Sequence, residues 1–157
     1  MYKHILFATD LSVETDFLIK KVKDMQKLTG AKLSIIYVEE PMYAYNNTYS
    51  YMQDIENQLV NEAREKLSNL GEQLFISPEN QIVKLGSAKS ILLETAKEIG
   101  IDLIICGSHG KHGLSLLLGS TANSILNGAT CDVLTVRFPQ AAITGPAKEP
   151  PKVLNLS

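Results

Sequence analysis

His4-Ile-Leu-Phe-Ala-Thr-Asp10 and, twenty-odd residues on, Leu33-Ser-Ile-Ile-Tyr-Val38 are the two stretches whose reading decides the fold. Each is a short continuous apolar run, which suits a strand covered on both faces. Between them Phe17, Leu18, Val22, Met25 and Leu28 recur at helical spacing, with Ser12 placed to cap the helix and Gly30 to stop it. A helix joining two buried strands is most simply a β-α-β unit, so the strands are expected to be parallel neighbours.

Working outward, the alternation continues. Residues 39–52 show neither period and carry Pro41, two Asn and four Tyr (Tyr43, Tyr45, Tyr49 and Tyr51), so they read as a long surface loop. Ile55, Leu59, Ala63, Leu67 and Leu70 then mark the apolar stripe of a long helix ending near Gly71. Further strands are expected over 81–85, 101–106 and 131–138, with helices over 88–100 and 120–127. Strands alternating with helices imply a parallel sheet with helices on both faces, since each crossover is right-handed and covers the strands it joins. Residues 139–157 hold four of the six prolines and few large apolar groups. They read as a tail beyond a single domain spanning 1–138.

Bulk composition narrows the function classes. A chain of 157 residues with 45% hydrophobic and 20% charged residues suits one globular domain. Lys and Arg total 15 against 17 Asp and Glu, so no basic surplus exists to neutralise a nucleic-acid backbone. The two cysteines, Cys106 and Cys131, sit in apolar runs, and no secretory signal opens the chain, which points to a reduced, cytoplasmic setting. No apolar run approaches the roughly 20 residues that a bilayer-crossing helix needs, so no membrane association is expected.

In open parallel sheets ligands bind outside the carboxyl ends of strands, and two loops of this chain lie there. The first, after strand one, carries Asp10 and Ser12. The second, Gly107-Ser-His-Gly-Lys-His-Gly-Leu-Ser-Leu-Leu-Leu-Gly-Ser120, follows strand four. Gly107, Gly110 and Gly113 allow close backbone approach, and successive peptide N–H groups in such a turn can cradle an anion. Gly119-Ser120-Thr121 opens a helix whose first N–H groups lack internal partners, so both features suit phosphate. Lys111 adds positive charge, and the hydroxyls of Ser108, Ser120 and Thr121 can donate. A turn that simply passes a strand into a helix accounts for the same residues. His109 and His112 lack the Cys or carboxylate companions of a metal site, and neither a Gly-x-Ser-x-Gly elbow nor a Walker phosphate loop is present.

The opening Tyr2-Lys-His-Ile-Leu-Phe-Ala-Thr-Asp-Leu-Ser12 and the Gly107-Ser-His-Gly110…Gly119-Ser120 loop resemble the two signatures of universal stress proteins. Val38-Glu39 after strand two, Gly86 with Ser90-Ile91, and Asp102 to Gly107 are similar to positions of that family too. The resemblance covers roughly residues 1–138. It implies a single-domain five-stranded parallel sheet ordered 3-2-1-4-5, Rossmann-type and like the adenine nucleotide alpha hydrolases. It also implies an ATP or AMP site in which Asp10 and the backbone of Val38 lie near adenine and ribose, while Gly107, Ser108, Gly110, Lys111, Gly119, Ser120 and Thr121 hold phosphates. Asp10 has a second reading as a brace for its own turn, and Val38 as core.

Only eight residues separate Gly110 from Gly119, where the nucleotide-binding branch has nine. The shorter spacing resembles the branch that binds no nucleotide, although the glycines themselves remain. The strand Cys131–Phe138 would lie at an uncovered sheet edge, and the family pairs through it, which implies a homodimer. A non-catalytic, dimeric, cytoplasmic stress-response protein binding ATP or AMP is therefore the expectation, with no obligatory cofactor and no metal. The alternatives are a dimer that binds no nucleotide and a slow adenine-nucleotide hydrolase.

Overall fold

The computed structural model describes residues 1–12, 15–41, 49–108 and 119–138, the side chains of 49–51 excepted. Five strands, β1 (His4–Ala8), β2 (Lys32–Glu39), β3 (Gln81–Leu85), β4 (Leu103–Gly107) and β5 (Asp132–Val136), form one sheet in the order β3-β2-β1-β4-β5. Every pairing is parallel, with Phe7 opposite Ile35 on one side and Ile105 on the other. Among the described residues four α-helices join the strands: α1 (Thr15–Thr29), α2 (Tyr49–Gln73), α3 (Ala88–Glu98) and α4 (Ser120–Gly128). The result is an α/β Rossmann-like fold, with the strand order that the resemblance implies.

Two cores sandwich the sheet. Phe7, Ile35 and Ile105 on one face pack against Leu18 and Val22 of α1, Leu67 and Leu70 of α2, and Leu74 just beyond it. Leu6, Ile36 and Ile104 on the other face pack against Leu92 and Ala96 of α3 and Ala122 and Ile125 of α4. Ile5, Leu6 and Phe7 are each 0% exposed, which is why β1 reads as an unbroken apolar run rather than an alternating one. Among the described residues no helix is long and apolar enough to cross a membrane.

Some boundaries differ from the sequence reading. The last residues of the expected 39–52 loop belong to α2, which starts at Tyr49; residues 42–48 lie outside the described set. No Gly or Pro interrupts the chain from Tyr49 to Leu70, so a helix anchored by the buried Ala63, Leu67 and Leu70 extends backward through residues of middling propensity. Nor does α2 stop at Gly71. Phe75 takes the left-handed conformation (φ +54°), and the Ile76 N–H returns to the Gly71 carbonyl at 2.8 Å, which closes a Schellman-type end. Gly71 is small for another reason: a Cβ there would overlap the side-chain amide of Gln81, which donates to the Ile76 carbonyl at 2.8 Å. A short 3-10 helix, Pro78–Asn80, which the periodicity does not show, leads into β3.

Candidate functional site

Sheet order dictates where a crevice can open. From β1 the chain crosses to the α1 face, and from β4 to the α4 face, so the loops after these adjacent strands part and leave a hollow at their carboxyl ends. A cleft of about 600 Å³ lies there. Such a volume is within the range of roughly 300–1,000 Å³ usual for small-molecule sites. Its floor is apolar, from Ala8, Ile36, Leu92, Ala122 and Ile125, and Phe138 closes one side, packed edge-to-face on Phe17 with ring centroids 6.0 Å apart.

The turn after β1 shapes one wall. Thr9, 7% exposed, donates its N–H to the Ile36 carbonyl at 3.1 Å, the last β1–β2 bond. Leu11 then adopts φ +57°, a conformation costly for a residue with a Cβ. Two side chains hold it: the Thr9 hydroxyl accepts from the Leu11 N–H at 3.0 Å, and Asp10 Oδ1 accepts from the Ser12 N–H at 3.0 Å. Ser12 contributes its carbonyl, which accepts from the Thr15 N–H at 3.1 Å, so it precedes α1 instead of capping it. Asp10 thus braces its turn, as the alternative reading expects, while also lining the cleft.

That turn has a consequence for β2. In a parallel ladder alternate residues of a strand bond to the same neighbour. Since Ile36 bonds toward β1, Val38 directs its N–H and C=O to that side as well, and a continued β1 would supply the Leu11 N–H to the Val38 carbonyl. Leu11 gives that N–H to Thr9 instead. The Val38 N–H, which a regular ladder would pair with the Thr9 carbonyl, makes no such bond among the described residues, so Val38 presents one donor and one acceptor of main chain toward the cleft, beyond the end of β1.

The opposite wall is the β4–α4 junction. Ser108, 4% exposed, donates its N–H to the Val136 carbonyl at 2.9 Å, and its carbonyl accepts from the Gly119 N–H at 2.8 Å. The bond between residues 108 and 119 joins the two ends of the intervening segment, 109–118, which lies outside the described residues. Gly119 caps α4 with no side-chain hydrogen bond, and the first intrahelical bond runs from the Asn123 N–H to the Gly119 carbonyl at 2.9 Å. The N–H groups of Ser120, Thr121 and Ala122 precede it, at the positive end of the helix dipole and on the cleft.

Of the residues singled out from sequence, Asp10, Val38, Gly107, Ser108, Gly119, Ser120 and Thr121 all line this one cleft. Gly110 and Lys111, like His109, His112 and Gly113, lie outside the described residues, as do the side chains of Tyr43, Tyr45, Tyr49 and Tyr51 and the whole of 139–157. Sequence reasoning missed Tyr37, Glu39 and Glu40 at the end of β2, and Ala88 and Leu92 of α3. The signal was available: whatever ends β2 or begins α3 stands at the same end of the sheet. The Tyr37 hydroxyl donates to Glu39 Oε2 at 2.6 Å. Burial, then that hydrogen bond and the charges of Glu39, Asp10 and Glu40, push the Tyr37 hydroxyl well above the usual tyrosine range, so it remains a donor. Burial likewise pushes up the Cys106 thiol on the cleft floor. Among the described residues no group of three or more His, Cys, Asp or Glu is arranged to hold a metal.

Comparison with known proteins agrees with the fold. The profile of the universal stress protein family matches residues 1–137. Universal stress protein A homolog 2 of Coxiella burnetii is 45% identical over 140 residues, covering 87% of this chain and 96% of that protein. The solved structure of MJ0577 of Methanocaldococcus jannaschii superposes with a TM-score of 0.78 at 27% identity, covering 89% of this chain and 99% of that one. A further universal stress protein, solved in complex with cAMP, gives a TM-score of 0.56 at 20% identity and covers 87% and 97% of the two chains. With the family profile matched over residues 1–137 and a relative this similar, the chain belongs to the universal stress protein family.

Proposed function

We propose that the chain is a cytoplasmic, homodimeric stress-response protein whose cleft binds ATP or AMP, and whose occupancy by nucleotide alters its contacts with other proteins. One observation carries the reading: a single cleft offers a main-chain donor–acceptor pair at Val38 and, two strands away, the N-terminus of α4. Adenine fits the first, its amino group donating to the Val38 carbonyl and its ring nitrogen accepting from the Val38 N–H. Phosphates fit the second, held by the N–H groups of Ser120, Thr121 and Ala122, with Gly107, Ser108, Gly110, Lys111 and Gly119 completing the cradle. Asp10 then accepts from the ribose. Binding is the proposed activity, with no catalysis.

Support for a dimer is the edge position of β5, whose Val133 and Leu134 are only half-buried. Both cysteines are free, which agrees with a reducing compartment. Residues 139–157 are read as an extension outside the domain. The eight-residue spacing favours a second reading, a dimer that takes no nucleotide.

Equilibrium dialysis with labelled ATP, AMP and IMP at millimolar concentrations separates the two. Adenine nucleotides are expected to be retained, and IMP, which reverses the donor and acceptor on the edge that Val38 meets, to bind at least about tenfold more weakly. No retained ATP or AMP would leave the second reading standing. Equal binding of AMP and IMP would remove the role given to Val38.

A further inference from the structure

The wall of the cleft at the end of β2 is acidic. Asp10, Glu39 and Glu40 line it, and the described lining residues include no Lys or Arg. Both glutamates are held in place. Glu39 accepts the Tyr37 hydroxyl at 2.6 Å through Oε2, and its carbonyl accepts from the Gly86 N–H at 2.8 Å. Glu40 Oε1 accepts from the N–H of Ala88, the first residue of α3, at 3.3 Å. Tyr37 itself is 7% exposed, so the Glu39 carboxylate is anchored to a buried ring. One hydrogen bond leaves a carboxylate with further acceptor capacity.

We infer that Glu39 and Glu40 make the cleft selective for adenosine nucleotides phosphorylated on the 5′ side alone, excluding those with a further phosphate on the 2′ or 3′ hydroxyl. The inference rests on the adenine-nucleotide reading above. With the base at Val38 and the 5′-phosphate at α4, the ribose spans the end of β1, where Asp10 accepts from it, and Glu39 and Glu40, the two residues after Val38 on the same cleft, add the further negative charge that a phosphate on the 2′ or 3′ hydroxyl would meet. A carboxylate accepts a hydroxyl proton readily but repels a phosphate dianion, and an acidic residue at the end of the second strand is how related open sheets recognise an unmodified ribose. The cleft is thus polarised, with the helix dipole favouring anions at one end and fixed negative charge opposing them at the other.

The test measures affinities of the full chain for AMP, adenosine 3′,5′-bisphosphate and adenosine 2′,5′-bisphosphate by calorimetry. Both bisphosphates are expected to bind at least about tenfold more weakly than AMP, a cost typical of like charges brought together at a binding site. In the double variant Glu39→Gln, Glu40→Gln the gap should shrink to within about threefold, chiefly by tighter bisphosphate binding. Gln keeps an acceptor for the Tyr37 hydroxyl and for the Ala88 N–H, and circular dichroism checks that the variant folds. The wild-type gap gives a second readout, because it must narrow as salt rises from low to about 0.5 M. Absence of AMP binding would overturn this inference, and absence of ATP binding as well would overturn the adenine-nucleotide reading. AMP binding with no discrimination against bisphosphates would overturn the inference alone, as would a gap that neither salt nor the double variant changes.

Discussion

Two leucines of nearly equal burial should respond differently to truncation, because one of them borders the cleft. Leu67 of α2 is 1% exposed and enclosed in the core between α1, α2 and the sheet. Leu92 of α3 is 5% exposed, belongs to the opposite core, and also lines the cleft of about 600 Å³. Either change to Ala removes the same atoms and forfeits the same transfer free energy, about 2 kcal/mol for a buried side chain. The remainder of a Leu→Ala cost, which brings the total to roughly 3–5 kcal/mol, comes from the cavity left behind. At Leu67 that cavity is closed and the full cost applies. At Leu92 the space joins a hollow already open to water, so the cavity contribution largely vanishes, and Leu92→Ala should cost at least about 1 kcal/mol less than Leu67→Ala. For a chain of this size that separates the two melting temperatures by roughly 2–4 °C. Urea denaturation without nucleotide measures it, with equal m-values showing that the unfolded states are alike. If Leu92→Ala proves as damaging as Leu67→Ala, the cleft is not an open hollow and the site built on it falls.

Two further outcomes follow from local chemistry. The Ile99 carbonyl can only accept, so Nδ1 of His4 carries a proton to it (3.1 Å), and in the neutral ring Nε2 accepts from the Ser34 hydroxyl (2.8 Å). Burial, and then Lys32, lower the His4 pKa below its ordinary 6.5, against the Ile99 carbonyl and Asp102. Folding therefore favours the neutral ring: the stabilisation is complete above the unfolded value and is lost as pH falls through the lower folded one. Urea midpoints between pH 7.5 and 5.5 should fall in the wild type and flatten in His4→Gln; parallel curves would refute this. Gly86, between β3 and α3, has φ +146°, and a Cβ there would overlap Ile91 Cδ1. Gly86→Ala should cost about 1–3 kcal/mol. A neutral result in thermal denaturation would show that the entry to α3, and with it Ala88 and Leu92 on the cleft, is not fixed by this glycine.

How far the fold could be read from sequence varies with the range of the forces involved. β1, β2 and α1 announce themselves through local pattern, because strands buried on two faces must be apolar throughout and a surface helix must be apolar on one stripe. The limits of α2 do not, since both depend on distant contacts. Its start is carried back to Tyr49 by packing further along the helix. Its end is decided by Phe75 accepting a left-handed conformation that local rules reserve for glycine, while Gly71 makes room for Gln81 from another strand. Pattern alone also yields only a parallel sheet; the order β3-β2-β1-β4-β5 enters through the family resemblance.

The candidate site divides along the same line. Glycines, hydroxyls and Asp10 are visible as residue types, but an anion cradle is only one of two readings of the glycine-bearing segment, the other being a plain turn from strand to helix. The feature that would distinguish adenine from another base is not a side chain at all. It arises at Val38 because β2 runs beyond the point where β1 ends, and because Thr9 captures the Leu11 N–H that a regular ladder would have delivered there. Register, turn and side-chain hydroxyl must act together to produce it, and none of the three is encoded at position 38. Any residue with a main-chain N–H could stand at that position without altering the donor–acceptor pair, so the proposed recognition element belongs to the fold, and Thr9 is the side chain on which its free carbonyl depends.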